Sequence, residues 1–154
     1  MFKIFSKYIS LLLLEQDFDK SYQIQNFLDQ RNSIRAFHVV RDGIEAVDFI
    51  LNESCIANPA SSWLILVNLN LPYAKEVLNE IRNNSELKTI PVVIFTEKDE
   101  NTILQNYNLP SNYYIVEPDN FAKCQEIIET MEHFQYFTKS MKENISHKHL
   151  SYML

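Results

Sequence analysis

Polar side chains capable of acid–base, metal-binding or anion-binding chemistry follow four short apolar runs of this chain. They are Glu15, Gln16 and Asp17 after YISLLLL, Asn68 and Asn70 after WLILV, Thr96 and Glu97 after PVVIF, and Glu117 after YYIV. Carboxylates in such positions can hold a divalent cation or transfer protons, and a threonine hydroxyl can contact an anion. Among these residues, the sequence shows no nucleophile paired with a base and no triad of metal ligands. We therefore expect no catalytic residue and no metal site, and the protein is predicted not to be an enzyme.

The apolar runs alternate with longer amphipathic stretches, which is typical of repeated βα units around a parallel sheet. The predicted strands are 8–14, 36–40, 63–67, 91–95 and 113–116, and the predicted helices lie at about 19–30, after the turn at 42–43, and at 74–82, 100–107 and 120–138. Asp119 is predicted to cap the last helix. The pattern predicts a doubly wound α/β sheet, in which the carboxyl ends of the strands gather the polar side chains at one edge.

Length and composition indicate one globular domain without a phosphate-binding loop. The 154 residues include 46% hydrophobic and 22% charged residues, which is ordinary for a globular protein. Residues 1–138 are predicted to form the domain, and the C-terminal tail 139–154 is too short for a second one. A net charge of −6 offers no basic surface to nucleic acid or to an anionic membrane. The single glycine, Gly43, cannot build a P-loop or a dinucleotide-binding turn.

Cysteine usage and the N-terminal segment both predict a cytoplasmic protein. Cys55 and Cys124 lie far apart without CxxC spacing, which favours thiols in a reducing compartment over a disulfide framework or a zinc site. The apolar run 9–14 is too short to span a membrane, and no small-residue cleavage site follows it. We therefore interpret this run as a buried strand.

Five segments of the chain resemble the receiver domain of response regulators. They are LLLLEQDFD, HVVRDGIEAVDFI, LILVNLNLP, LNEIRNNSELKTIPVVIFT and YNLPSNYYIVEPDNF. The resemblance as a whole extends over about residues 8–138. The segments are most similar to the small single-domain regulators that partner phytochromes. The resemblance implies a CheY-like, flavodoxin-like (βα)5 sheet with strand order 2-1-3-4-5. It also implies a role in two-component, phosphorelay signal transduction.

The resemblance assigns the metal and phosphoryl positions to residues that depart from the family pattern. Two acidic residues after the first strand help to hold Mg²⁺ in the family, and here they are Glu15 and Gln16. The phosphoacceptor aspartate corresponds to Asn68, and the backbone carbonyl that completes the metal shell belongs to Asn70. An amide oxygen is not the anionic nucleophile that an acyl phosphate needs. We therefore expect a pseudo-receiver that is not phosphorylated, has no cofactor, and has lost or weakened Mg²⁺ binding.

The remaining family positions follow the fourth and fifth strands. Thr96 matches the hydroxyl that contacts the phosphoryl group, and Tyr114 matches the aromatic switch residue. Glu97 replaces a small residue, and Glu117 replaces the lysine that would neutralise phosphate oxygens. Without a metal, Asn68 and Gln16 are predicted to donate hydrogen bonds to Glu15 or Glu117. The turn after Pro72 is also shorter than the family usually has.

Two functions remain open at this stage. The first is a signalling module that binds a protein such as a histidine kinase, a phytochrome or another regulator, or that forms a homodimer. The candidate interface includes an aromatic stripe of the last helix, at Phe134, Tyr136 and Phe137. The alternative is a receiver-like sensor that binds a small molecule at the carboxyl ends of the strands, near Thr96 and Tyr114.

Overall fold

The computed structural model of this chain describes residues 9–30, 34–52, 62–85, 87–107, 109 and 112–131. Its strands are β1 (Ile9–Leu14), β2 (Ile34–Val40), β3 (Ser62–Asn68), β4 (Val92–Phe95) and β5 (Tyr113–Val116). Its helices are α1 (Phe18–Leu28), α2 (Gly43–Asn52), α3 (Ala74–Asn83) and α4 (Glu100–Asn106), and residues 121–131 are helical and are called α5 here. Within these ranges, no helix is long and apolar enough to cross a membrane.

The five strands form one parallel sheet with the order β2-β1-β3-β4-β5, which confirms the predicted fold. Strand β1 pairs with β2 on one side and with β3 on the other, and Leu14 lies opposite both Val40 and Val67. Strand β2 begins at Ile34, two residues before the predicted start at Ala36. The prediction began too late because Arg35 interrupts the apolar run. The sheet tolerates this exposed charge, since β2 is an edge strand.

Apolar side chains pack on both faces of the sheet. Along β1, Leu11 and Leu13 belong to one core cluster, and Leu12 and Leu14 belong to the other, as expected for alternate residues of a strand. The first cluster includes residues of α1 and α5, and the second includes residues of α2 and α3. All six residues of β1 are buried, which confirms that this run is a core strand.

A buried thiol lies in the first of these clusters. Cys124 is free and 1% exposed, and burial raises its pKa to about 12. The thiol is therefore protonated and unreactive at neutral pH. Cys55, the tail 139–154 and the aromatic stripe at 134, 136 and 137 lie outside the described residues.

Side-chain caps mark where several helices begin. Asp17 Oδ1 accepts a hydrogen bond from Lys20 N at the start of α1, and Asp99 Oδ1 accepts one from Thr102 N at the start of α4. At α5, Asn120 Oδ1 accepts a hydrogen bond from Lys123 N, so the predicted cap at Asp119 is wrong by one residue. Asp119 contributes only its backbone carbonyl, which accepts from Phe121 N.

The glycine of this sequence is required for a close backbone approach. Tyr73 precedes α3 with φ of 67°, a left-handed conformation that a tyrosine seldom adopts. This residue lies against Gly43, and a Cβ added to Gly43 would lie 2.2 Å from Tyr73 Cβ. Gly43 therefore allows the short turn after Pro72 to pack on the first turn of α2.

We expect Gly43→Ala to lower the free energy of unfolding by about 1–3 kcal/mol, because the new methyl group overlaps Tyr73. Urea unfolding of the full chain measures this loss. Gln23→Ala, at an exposed position of α1, is the control and should change stability by less than about 0.5 kcal/mol. The loss should shrink in a Tyr73→Gly background, and an equal loss in both backgrounds would contradict the overlap.

We expect the contribution of the Asp99 cap to the free energy of unfolding to depend on pH. Hydrogen bonds from Thr102 lower the pKa of Asp99, so the cap stabilises the fold above the unfolded-state pKa and is lost as pH falls through the folded-state pKa. Asp99→Ala should therefore be less stable than the parent chain at neutral pH, and the difference should narrow in acid. Unfolding curves of both proteins over the acidic range measure it. A difference that does not vary with pH would contradict this role of the carboxylate.

Candidate functional site

Three predicted site residues meet at the carboxyl edge of the sheet. Glu15 directly follows β1, Asn68 is the last residue of β3, and Thr96 directly follows β4. Because these strands are neighbours and parallel, their carboxyl ends lie side by side. Glu15 is 2% exposed, Thr96 is 1% exposed and Asn68 is half-buried.

The buried Glu15 carboxylate is satisfied by neutral donors. Its Oε1 accepts a hydrogen bond from Asn68 Nδ2 at 3.0 Å, and its Oε2 accepts one from Asp17 N at 3.1 Å. The predicted hydrogen bond between Asn68 and Glu15 is therefore confirmed. A buried carboxylate is costly unless its oxygens are paired, so both donors stabilise this arrangement.

Both ends of the Asn68 amide are used within the protein. Asn68 Oδ1 accepts from Asn70 N at 3.0 Å, while Nδ2 donates to Glu15. A backbone N–H can only donate, so the Asn70 contact fixes which end of the amide faces Glu15. The next backbone nitrogen, Leu69 N, donates to Phe95 O at 3.0 Å and ties the turn to β4.

Arg41 holds the loop that carries Glu15. Its Nη1 donates to Glu15 O at 3.3 Å and to Ser21 Oγ at 3.2 Å, and its guanidinium carbon lies 3.9 Å from the centroid of the Phe18 ring. Arg41 was not assigned to the site from the sequence. Its position directly after β2, beside the end of β1, is the signal that could have identified it.

Three other predicted residues lie at this edge without joining the network. Gln16, Glu97 and Glu117 are exposed. Among the described residues, their side chains make no hydrogen bond or ion pair, so the predicted hydrogen bond from Gln16 is not formed. Each of these side chains points into water at the end of its strand, where the sheet no longer constrains it.

Among the described residues, no hydrogen bond joins the two predicted switch residues. Thr96 Oγ1 accepts a hydrogen bond from Lys98 N at 3.1 Å, and Tyr114 on β5 is 39% exposed. Asn70 is exposed, and its backbone N–H is taken by Asn68. Across the described ranges, no group of three or more His, Cys, Asp or Glu side chains is arranged to hold a metal ion.

Known proteins resemble this chain over most of its length. No protein-family model matches it. It is 32% identical over 127 residues to the response regulator Rcp1 of Synechocystis sp., covering 80% of this chain and 86% of that protein. The phosphorylated cyanobacterial phytochrome response regulator RcpA has 34% identity and a TM-score of 0.61, with 81% of this chain and 91% of that one covered.

A second solved structure gives the same result. The Mn²⁺-bound form of Rcp1 has 30% identity and a TM-score of 0.59, with 82% of this chain and 93% of that one covered. The sheet order and these identities agree on one family. This chain belongs to the response regulators, and it is a receiver domain of two-component signal transduction with the CheY-like, flavodoxin-like fold.

Proposed function

We propose that this receiver domain is not phosphorylated and acts by binding a protein partner, such as a histidine kinase, a phytochrome or another regulator. The observation that carries the proposal is the hydrogen bond from Asn68 Nδ2 to Glu15 Oε1 at 3.0 Å. It places a neutral donor at the position where the family has its phosphoacceptor carboxylate. The site is thereby closed by contacts within the chain.

The chemistry of the amide supports the absence of phosphoryl transfer. An acyl phosphate forms when an anionic carboxylate oxygen attacks phosphorus. The single lone pair of the Asn68 amide nitrogen is delocalised into the carbonyl group, and the amide oxygen already accepts a hydrogen bond from Asn70 N. An incoming phosphoryl group would therefore meet no nucleophile at this position.

The donor set also does not fit magnesium. Mg²⁺ prefers octahedral oxygen ligands, of which one or two are usually carboxylates. At this edge the buried carboxylate of Glu15 has both oxygens in hydrogen bonds, and the N–H group of Asn68 points at it. Gln16 offers an amide in place of the second acid, and its side chain is exposed. A cation entering here would compete with two hydrogen bonds for the oxygens of one buried carboxylate.

Glu117 contributes less than Asn68 does to the proposed loss of phosphorylation. A carboxylate about 4 Å from a phosphoryl charge would be repelled by about 4 kcal/mol at an effective dielectric constant near 20. Glu117 is exposed, so water and salt screen that repulsion. The missing nucleophile and the unsuitable metal ligands are therefore the decisive changes.

We propose that the partner binds the surface formed by α4 and β5. Leu104 on α4 is 52% exposed and Tyr114 on β5 is 39% exposed, on elements that follow or pair with β4. Exposed aliphatic and aromatic side chains on neighbouring elements favour a protein interface. The partner can be another protein or a second copy of this chain.

Phosphorylation is tested by mixing the full chain with acetyl phosphate and Mg²⁺ and measuring its intact mass. We expect no phosphorylated species, because position 68 has no carboxylate. RcpA, which is known as a phosphorylated structure, is the positive control for the reagents. Stoichiometric phosphate incorporation that Asn68→Ala abolishes would overturn the proposal.

Asn68→Asp alone should not restore phosphorylation and should destabilise the fold. The substitution removes the hydrogen bond to Glu15 and places two carboxylates in contact, so we expect a loss of about 1–3 kcal/mol in the free energy of unfolding. Urea unfolding and the intact-mass assay measure the two effects. Asn70→Asp, at an exposed position nearby, is the matched control and should change stability by less than about 0.5 kcal/mol.

A further inference from the structure

Four exposed apolar side chains lie on α1, at the start of α2 and in the turn before α3. They are Phe18 (72% exposed), Tyr22 (65%), Ile44 (66%) and Tyr73 (53%), and together they are called the rim patch. Phe18 and Tyr22 are four residues apart on α1 and share one face of the helix. The Phe18 ring contacts Arg41, three residues before Ile44, and Tyr73 packs on Gly43, which directly precedes Ile44. Through Arg41 and Gly43, these contacts place α1, the start of α2 and the turn before α3 next to one another.

The core does not require these side chains. All four face solvent, and none belongs to the two core clusters. Tyr73 also holds a left-handed conformation, which costs a residue with a Cβ about 1–2 kcal/mol. Backbone strain that is retained at an exposed aromatic residue is typical of a binding surface.

The charges around the rim patch are mainly acidic. Exposed carboxylates flank it on α1 and α2, namely Asp17, Asp19, Asp42 and Glu45. The nearby cations are fewer. Lys20 is half-buried, Lys75 is exposed with its ammonium 5.9 Å from the centroid of the Tyr107 ring, and the guanidinium of Arg41 is engaged by Glu15 O, Ser21 Oγ and the Phe18 ring. A partner thus meets an apolar centre with a negative border.

We propose that the rim patch binds a protein segment that carries basic residues beside an aliphatic face, such as a basic amphipathic helix. The aliphatic face would cover Phe18, Ile44 and Tyr73, and its lysines or arginines would face the carboxylates. A second copy of this chain fits poorly, because two acidic borders would meet and each chain has a net charge of −6. Phe18, Tyr22 and Ile44 lie on the β2 side of the sheet order and Tyr73 follows the central strand β3, whereas the proposed signalling surface is formed by α4 and the opposite edge strand β5.

An NMR titration of the isotope-labelled full chain tests the proposal. The probe is a synthetic amphipathic helix of leucine and lysine, and the controls are a leucine–glutamate helix and a serine–lysine helix. We expect shift changes to cluster at the rim patch with the first probe only, and the affinity to fall as ionic strength rises. Shift changes centred on Leu104 and Tyr114 would overturn the rim patch and leave the proposed function standing.

Matched variants separate the rim patch from other exposed apolar residues. Phe18→Ser with Ile44→Ser should weaken binding of the leucine–lysine helix at least about tenfold, whereas Leu104→Ser with Tyr114→Ser should change it less than about twofold. All four positions are exposed, so thermal unfolding should confirm that both double variants fold. Equal affinities of the two double variants would overturn the proposal. So would a dimer of the parent chain that only the Phe18/Ile44 variant loses in sedimentation equilibrium.

Tyr73→Asn distinguishes a binding role from a structural one. Asparagine adopts the left-handed conformation more readily than tyrosine, so the free energy of unfolding should stay the same or rise. Binding of the leucine–lysine helix should weaken several-fold, because an aromatic anchor is lost. Lower stability with unchanged binding would assign Tyr73 to the fold alone and would contradict its part in the rim patch.

Discussion

The burial of the Glu15 carboxylate is the constraint around which this edge of the domain is organised. Strand β1 is buried on both faces and paired on both sides, so the residue that follows it cannot reach bulk water. An isolated charge there would be costly, and two neutral donors compensate for it. Asn68 Nδ2 and Asp17 N donate hydrogen bonds to the Glu15 side chain, while Arg41 donates one to the backbone carbonyl of Glu15.

The Glu15 environment connects the site to the rest of the β2 side. Arg41 reaches the Glu15 carbonyl and the first turn of α1 from the end of β2, and its ring contact orients Phe18. Helix α2 begins two residues after Arg41, at Gly43, and Tyr73 of the turn before α3 packs against this glycine. One guanidinium and one amide thus hold the loop that carries Glu15.

Much of the fold could be predicted from the sequence, because it depends on local apolar runs. The ends of β5 were predicted without error, and the meeting of Glu15 with Asn68 followed from parallel strands sharing an edge. The role of Arg41 and the approach of Gly43 to Tyr73 could not be predicted in this way. Both depend on the distance between elements that are far apart in sequence, and no periodicity encodes that distance. Gln16 was misjudged for a related reason, since its neighbour Glu15 takes the inward position and leaves it facing solvent.

The hydrogen bond from Leu69 N to Phe95 O has a consequence for the chemical ageing of the protein. Spontaneous deamidation of an asparagine begins when the backbone nitrogen of the next residue attacks the side-chain carbonyl carbon. Here that nitrogen is held by β4, and the Asn68 amide is itself held by Glu15 and Asn70. Both restraints oppose the cyclic intermediate, and hydrolysis would otherwise create an aspartate at position 68. The contacts that hold the Asn68 side chain in place therefore also slow its deamidation to aspartate.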